Sequence, residues 1–170
     1  MPIVVQSFTT PSNTVITANT AGGTFPQTPV VVAPAPIQPF IDGSNAYIWA
    51  PNTAPNQTVT FVSTFTFATG LLNVALPISV NFAFSGADAV IVSGTLQIVN
   101  LLGIVVATIP IFANVVNAGG VTSVEIASGD TLIGVNLLGT NAVLTLTSTV
   151  TATTAGTGNY LGQVTINRVI

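Results

Sequence analysis

The sequence predicts an all-β fold, an antiparallel jelly-roll sandwich of about eight strands with an extended Pro-rich N-terminal arm. Two observations lead to this fold class. Apolar residues alternate with Thr, Ser or Ala over several runs, which is typical of half-buried strands. Turn-forming Gly and Asp residues separate these runs at roughly 8–15 residue spacing, which favours a sandwich or barrel of short strands.

Residues 1–40 are predicted to form the arm. Nine of the eleven prolines lie within the first 55 residues, and five of these lie between Thr24 and Phe40. Because proline removes an amide donor and fixes φ, this part is expected to be extended rather than central in a sheet. A short apolar strand at the end of such a tether can add to a sheet edge of another copy. The residues predicted to make this connection between subunits are Ile3, Val4, Val5 and Phe8.

Residues 41–56 are predicted to be a turn-rich junction that begins with the turn signal Asp42-Gly43. The junction holds Trp49, the chain's only Trp, and Tyr47, one of its two Tyr residues. Because aromatic residues are frequent hot spots at interfaces, both are predicted to anchor the arm to the body or to a neighbouring copy. Stacking on a ligand is the alternative role for these two rings.

The jelly-roll body is predicted to span residues 57–170. Alternation is clearest in residues 57–67, 74–84 and 142–152. Pro77 lies in the second of these segments, which predicts that this strand is bulged or at a sheet edge. Further strands are expected near residues 89–99, 103–112, 121–127, 130–137 and 160–170. Turns are predicted at residues 85–88, 118–120 and 128–130.

One five-residue segment recurs in the body. Val99–Gly103 reads Val-Asn-Leu-Leu-Gly, and residues 135–139 have the same sequence. We interpret the two copies as hairpins of similar shape, because a repeat architecture needs at least about three copies.

The composition excludes several functions. The chain has no His, Cys or Lys, one Arg, and four acidic residues among 170. Zinc sites built from Cys and His, and catalytic His or Cys, are therefore impossible, so neither an enzyme nor a bound cofactor is expected. Nucleic acid is not an expected partner, because the chain lacks the basic patches that neutralise phosphates. Asp88 and Asp130 are interpreted as turn residues rather than metal ligands, since both follow Ser- and Gly-containing segments.

A membrane span is not expected, although residues 89–124 carry no charged side chain. Gly103, Pro110 and many β-branched residues argue against a helix there, and no Lys or Arg flanks the apolar run. The first ten residues lack a basic segment followed by a continuous apolar run, so no classical signal peptide is expected.

Arg168 is the sole basic residue, and in an alternating strand it shares the apolar side with Val164 and Ile166. A buried cation without a partner is costly. Two outcomes are open. Either Arg168 pairs with an acid or a carbonyl, including one across a subunit boundary, or its side chain reaches water at the end of the strand.

Residues 57–170 resemble the C-terminal domain of the collagen-like exosporium glycoproteins of bacilli. The resemblance lies in a cysteine-free, Gly-, Thr-, Val- and Leu-rich all-β domain that closes on the alternating segment Gln163–Ile170. It implies a jelly roll of the tumour-necrosis-factor type that forms trimers. A short Pro-rich arm replaces the Gly-X-Y collagen run of that family. In this the chain is similar to the non-disulfide-linked endospore appendage (spore pilus) subunits of bacilli, whose jelly rolls stack through an N-terminal connector.

The function predicted from these observations is structural. With 3% charged residues and a mean hydropathy of +0.78, the chain is expected to cover its surface with large interfaces between copies. It is interpreted as a subunit of an extracellular fibre or spore-surface appendage that assembles non-covalently, the arm docking into the next subunit. The expected partners are other copies, as trimers stacked into a helical filament, and a spore-surface anchor protein. The alternative is a trimeric adhesin-like or lectin-like binding head, or a phage decoration protein.

Overall fold

The computed structural model describes residues 2–32, 47–69, 75–134, 139–153 and 158–169. Within these ranges the chain forms two antiparallel sheets and a short 3₁₀ turn, Gly120–Thr122. The strands are β1 (Ile3–Phe8), β2 (Thr14–Asn19), β3 (Val30–Val32), β4 (Tyr47–Trp49), β5 (Gln57–Ala68), β6 (Leu76–Gly86), β7 (Ala89–Asn100), β8 (Val105–Asn117), β9 (Glu125–Ile133), β10 (Gly139–Ala152) and β11 (Tyr160–Arg168).

The strand order is that of a jelly roll. The first sheet runs β3-β4-β11-β6-β9, with β1 also paired to β11, and the second runs β2-β5-β10-β7-β8. Taken alone, β4 to β11 supply four strands to each sheet, in the orders β4-β11-β6-β9 and β5-β10-β7-β8. These are the eight strands of two interleaved Greek keys. The predicted fold class is therefore confirmed.

Alternation of side chains explains the central strands. In β5 the residues from Val59 to Phe67 at odd positions are buried, whereas Thr64 and Thr66 are exposed. The inward side chains of both sheets form one apolar core. In it, the ring of Phe61 stacks on Tyr160 at a centroid distance of 4.9 Å and packs against Trp49 at 5.9 Å.

Two expectations about β6 and β9 are corrected. Pro77 was expected to mark a bulged or an edge strand, but β6 lies between β11 and β9 and pairs with both without a register shift. Pro77 is the second residue of β6, where the loss of one amide donor interrupts little pairing. The turn expected at residues 128–130 is absent, and β9 runs straight through it. Gly129 serves a close approach to β8 instead of a turn, because its Cα lies against the Ile111 carbonyl.

The predicted division into arm, junction and body is also corrected. β1 and β2, from the predicted arm, pair with β11 and β5, so they belong to the sandwich. β4 lies in the predicted junction but is the first strand of the jelly roll. The sequence obscured this because strands of three to six residues show too few alternations to be distinguished from extended loop. Predictions for residues 33–46, including the Asp42-Gly43 turn, and for Val74 and Ile170 lie outside the described residues.

Candidate assembly surfaces

The predicted connector residues lie in β1, which is paired within its own chain. Val5 is opposite Ile166 and Phe8 is opposite Gln163, and the Thr9 amide donates to the Gly162 carbonyl oxygen at 2.9 Å. Side chains of β1 also pack inside the chain. Val4 and Val5 contact the main core, and Phe8 contacts a second cluster around Tyr47 and Leu161. A free arm that docks on another copy is therefore the wrong description of this segment, and of its four residues only Ile3 is exposed.

Trp49 and Tyr47 are buried rather than exposed to a ligand. Trp49 has no exposed surface, and its Nε1 donates to Oε1 of buried Gln57 at 3.2 Å. Gln57 in turn donates through Nε2 to Oδ1 of Asn19 and to the carbonyl of Asn52, both at 2.7 Å. Trp49 thus ties the N-terminal strands to the body of the same chain through Gln57.

Tyr47 packs on the outer side of the first sheet with Leu161 and Phe8. Burial raises the pKa of its hydroxyl above the ordinary value. The Tyr47 hydroxyl has no hydrogen-bond partner among the described residues. Neither aromatic ring of this segment therefore offers a face on which a ligand could stack.

Arg168 is half-buried at the end of β11. Its backbone amide donates to the Pro2 carbonyl at 3.0 Å, and it lies opposite Ile78 of β6. Its buried Nε has no hydrogen-bond partner in the part of the chain that the structure describes. The side chain has therefore neither a complete set of partners nor full access to water.

One end of the sandwich is rich in exposed aliphatic side chains, and we call it the leucine end. β6 and β8 begin there, and β7, β9 and β11 end there. The β7–β8 hairpin supplies its most exposed residues, Leu101 at 77% and Leu102 at 82%. The other exposed large apolar residues at this end are Ile3, Ile104, Val105, Val106, Leu132 and Val169.

The hairpin that carries the two leucines is firmly held. The Asn100 side-chain oxygen accepts the amides of Leu102 and Ile104, each at 2.9 Å. The Asn100 amide donates to the Ile104 carbonyl at 2.9 Å, and the Gly103 amide donates to the Asn100 carbonyl at 3.0 Å. Gly103 has a φ of 77°, which a glycine adopts without strain. The leucines are thus presented to solvent by a defined turn.

The recurring Val-Asn-Leu-Leu-Gly segment borders this same end. Gly139, the last residue of its second copy, lies opposite Asn100 of the first copy. The rest of the second copy lies outside the described residues. The pairing of Gly139 with Asn100 therefore brings one residue of each copy together, which the sequence alone did not show.

The opposite end of the sandwich carries two acids, and we call it the acidic end. Asp88 lies in the turn after β6, and Glu125, which is exposed, begins β9. Asp88 accepts hydrogen bonds from the amide and the hydroxyl of Thr153, and these lower the pKa of its carboxyl. Val116 and Ile126 are exposed close by. Asp88 lies between β6 and β7 as predicted, although its carboxylate binds Thr153 at the end of β10, whereas Asp130 lies within β9 rather than in a turn.

The two ends are separated by the length of β6. Arg168 is opposite Ile78, two residues after β6 begins, and Glu125 is opposite Phe84, two residues before it ends. Six residues of strand span about 20 Å. Such a distance is about twice the Debye length at physiological salt, so Arg168 and Glu125 do not pair within one chain.

The long edge of the second sheet is irregular. β8 forms this edge, and its pairing with β7 shifts register three times. It also contains Pro110 and, at Asn114, a residue with a positive φ of 53°. Bulges and prolines of this kind discourage edge-to-edge pairing with another chain. The ends of the sandwich are therefore better suited to contacts between copies than this edge.

No group of three or more His, Cys, Asp or Glu residues that could hold a metal occurs in the described ranges. Nor does any helix among the described residues have the length and apolarity to cross a membrane.

No protein-family model matches the chain, and no curated protein matches it. Among solved structures, the CBM22-1 xylan-binding domain from Paenibacillus barcinonensis Xyn10C aligns with a TM-score of 0.46 and 10% identity, over 99% of this chain and 95% of that chain. The enzymatically active domain of bacteriophage CBA120 tailspike protein 4 gives a TM-score of 0.49 and 12% identity, over 94% of this chain. The structure of the infectious bursal disease virus Gx strain gives a TM-score of 0.41 and 12% identity, over 80% of this chain.

This chain spans 20% of the tailspike chain and 37% of the viral chain. At such low identities these likenesses concern the fold alone. The class of the protein is accordingly defined by its own topology, that of an antiparallel jelly-roll sandwich.

Proposed function

We propose that this chain is a structural subunit that assembles non-covalently with copies of itself into an extracellular fibre or spore-surface appendage. The observation that carries the proposal is a surface poor in charge and rich in exposed aliphatic side chains. The whole chain has five charged residues, whereas fifteen large apolar residues are exposed among those described. Permanent interfaces are more apolar than ordinary surface, so contacts between copies account for these residues.

The contacts are assigned to the ends of the sandwich rather than to the N-terminal segment. Because β1 completes the first sheet of its own chain, it is not available as a connector without opening that sheet. An end-to-end contact joins unlike surfaces and therefore propagates into a filament when the rotation between copies does not close a ring. The arrangement as stacked trimers, the spore surface and an anchor protein rest on the resemblance to exosporium and appendage proteins.

The lectin-like or adhesin-like alternative finds no support in the aromatic residues. Sugar-binding surfaces use exposed aromatic rings, above all Trp and Tyr, but Trp49, Tyr47 and Tyr160 are all buried. Phe25 is the one exposed aromatic residue among those described, and a single Phe ring does not form a row of stacking platforms. A structural role therefore suits the described surface better than a binding head.

Sedimentation velocity of the purified full chain over a range of concentrations tests the proposal, with negative-stain microscopy of the same samples. We expect large species above a threshold concentration and fibres on the grids. Because the chain has no Cys, dithiothreitol should leave these fibres intact. A monomer at every concentration would contradict the proposal, and light scattering of the smallest stable species separates a trimer from other oligomers.

A further inference from the structure

We propose that the leucine end of one copy docks on the acidic end of the next, with the β7–β8 hairpin as the inserted element and Arg168 facing Asp88 and Glu125. This inference rests on the proposed function, because it names the partner of an assembling subunit as a second copy. It goes further by assigning the two surfaces that meet.

The hairpin supplies the apolar part of the contact. Leu101 and Leu102 are the two most exposed large apolar residues among those described, and hydrogen bonds to Asn100 fix the turn that presents them. A loop that is already ordered loses little conformational entropy when it binds. The acidic end offers matching apolar surface in Val116 and Ile126.

Charge gives the contact its direction. The chain's single cation lies at the leucine end, and two of its acids lie at the other end. Asp130 is nearer to Arg168, but it pairs with Ser79 beside Asn167 and therefore points to the opposite face of the sheet. Stacking two copies head to tail brings the cation of one copy to the acids of the next. It also offers a partner to Arg168 Nε, which has none among the described residues.

A lipid surface fits this end less well. Proteins that lie on membranes usually anchor there through Trp, Tyr, Lys and Arg. This chain has no Lys and a net charge of −3, and its Trp and Tyr residues are buried elsewhere. A second copy is therefore the occupant that the observations favour.

The first test replaces the two leucines in the full chain, as Leu101→Asn with Leu102→Asn. Both side chains are exposed, so the fold should be unaffected, which far-UV circular dichroism checks. We expect the critical concentration for assembly, measured by sedimentation, to rise at least tenfold. The matched control is Val15→Asn, an exposed residue on the outer face of the second sheet, which should leave that concentration unchanged.

The second test uses charge reversal and mixing. Arg168→Glu places negative charge at both ends, whereas Glu125→Lys with Asp88→Asn places positive charge at both ends. Each variant alone should assemble poorly, because like charges then meet at every junction. An equal mixture of the two should assemble near the wild-type concentration, since every junction again joins opposite charges.

These outcomes separate the inference from the proposed function. Wild-type fibres together with leucine variants that assemble normally, or a mixture that stays as unassembled as its components, would overturn the docking but leave the self-assembling subunit standing. A wild-type chain that never assembles overturns both. Flotation with phosphatidylcholine vesicles adds a further arm. Wild-type protein that floats without forming fibres, and leucine variants that do not float, would identify a lipid-binding end and refute the docking between copies.

Discussion

Gly129 of β9 lies directly against the backbone carbonyl of Ile111 in β8, with no room for a Cβ between them. β8 is the edge of the second sheet and β9 is the edge of the first, so this contact closes one side of the sandwich. A hydrogen atom in place of a side chain lets the two backbones come this close.

Replacing Gly129 with Ala should therefore destabilise the fold. The added methyl group overlaps backbone atoms that cannot rotate away, and overpacking of this kind costs about 1–3 kcal/mol. Urea denaturation followed by circular dichroism measures the change in the free energy of unfolding. Gly134→Ala is the matched control, because open space surrounds that position. This variant should have nearly the same free energy of unfolding as the wild type. Equal stability of the two variants would show that the sheets do not meet at Gly129.

Gln57 is expected to be the most sensitive polar residue of the core. It joins Trp49, Asn19 and the Asn52 carbonyl, so Gln57→Leu leaves the buried Trp49 Nε1 without this partner and removes two further hydrogen bonds. The loss should reach about 2–4 kcal/mol. Because Trp49 is the only Trp, its fluorescence during denaturation reports directly on this cluster. The exposed Gln6→Leu is the control, and a similar loss in both variants would argue against a special role for Gln57.

The N-terminal strand should stabilise its own chain. Deleting residues 1–10 removes the β1–β11 pairing and the contacts of Val4 and Val5 with the core, at a cost of about 2–4 kcal/mol. Hydrogen exchange should show faster exchange of the β11 amides. Val5→Asp should act similarly, whereas Ile3→Asp should not, because Ile3 is 56% exposed. A truncated chain as stable as the full one would restore the interpretation of this segment as a free arm.

Tyr160 should ionise only when the chain unfolds, and Tyr47 should ionise at a higher pH than an exposed tyrosine. Burial raises the pKa of the Tyr47 and Tyr160 hydroxyls, and it outweighs the hydrogen bond that joins Tyr160 to Ser148 at 2.7 Å. Since the unfolded chain releases these protons near pH 10 and the folded chain holds them to a higher pH, stability falls as the pH rises above about 10. Tyrosinate absorbance and circular dichroism should therefore change together in an alkaline titration. Tyr160→Phe should reduce the pH dependence, and ionisation of both tyrosines in a folded chain would contradict the burial of Tyr160.

Periodicity predicted the long strands well and the short ones poorly. β5 was predicted to cover residues 57–67 and covers Gln57–Ala68, because one of its faces is apolar and the other is rich in threonine. β1 and β4 have no such signal, since strands of six and three residues show too few alternations. Gly129 of β9 was predicted to lie in a turn, because a glycine in the sequence indicates a turn and a close approach of two backbones equally well.

The candidate surfaces were only partly visible in the sequence. Arg168 stood out as the sole cation, and a partner across a subunit boundary remains one of its two predicted outcomes. Leu101 and Leu102 belong to a repeated segment whose position became clear only when Asn100 was found opposite Gly139. Their exposure depends on the hydrogen bonds of the turn, and these cannot be predicted from two adjacent leucines in a sequence.

The pairing of β1 with β11 also sets an order of events during synthesis. Gly162 donates to the side chain of Thr9, 153 positions earlier, and β11 lies between β6 and the N-terminal strands. The first sheet therefore cannot join β6 to β1 and β4 until the ribosome has released residues 160–168. Contacts between residues so distant in sequence also form slowly. Until then the chain lacks the finished ends through which we propose that copies join. On that proposal, a nascent chain that still lacks β11 cannot yet join other copies through these ends.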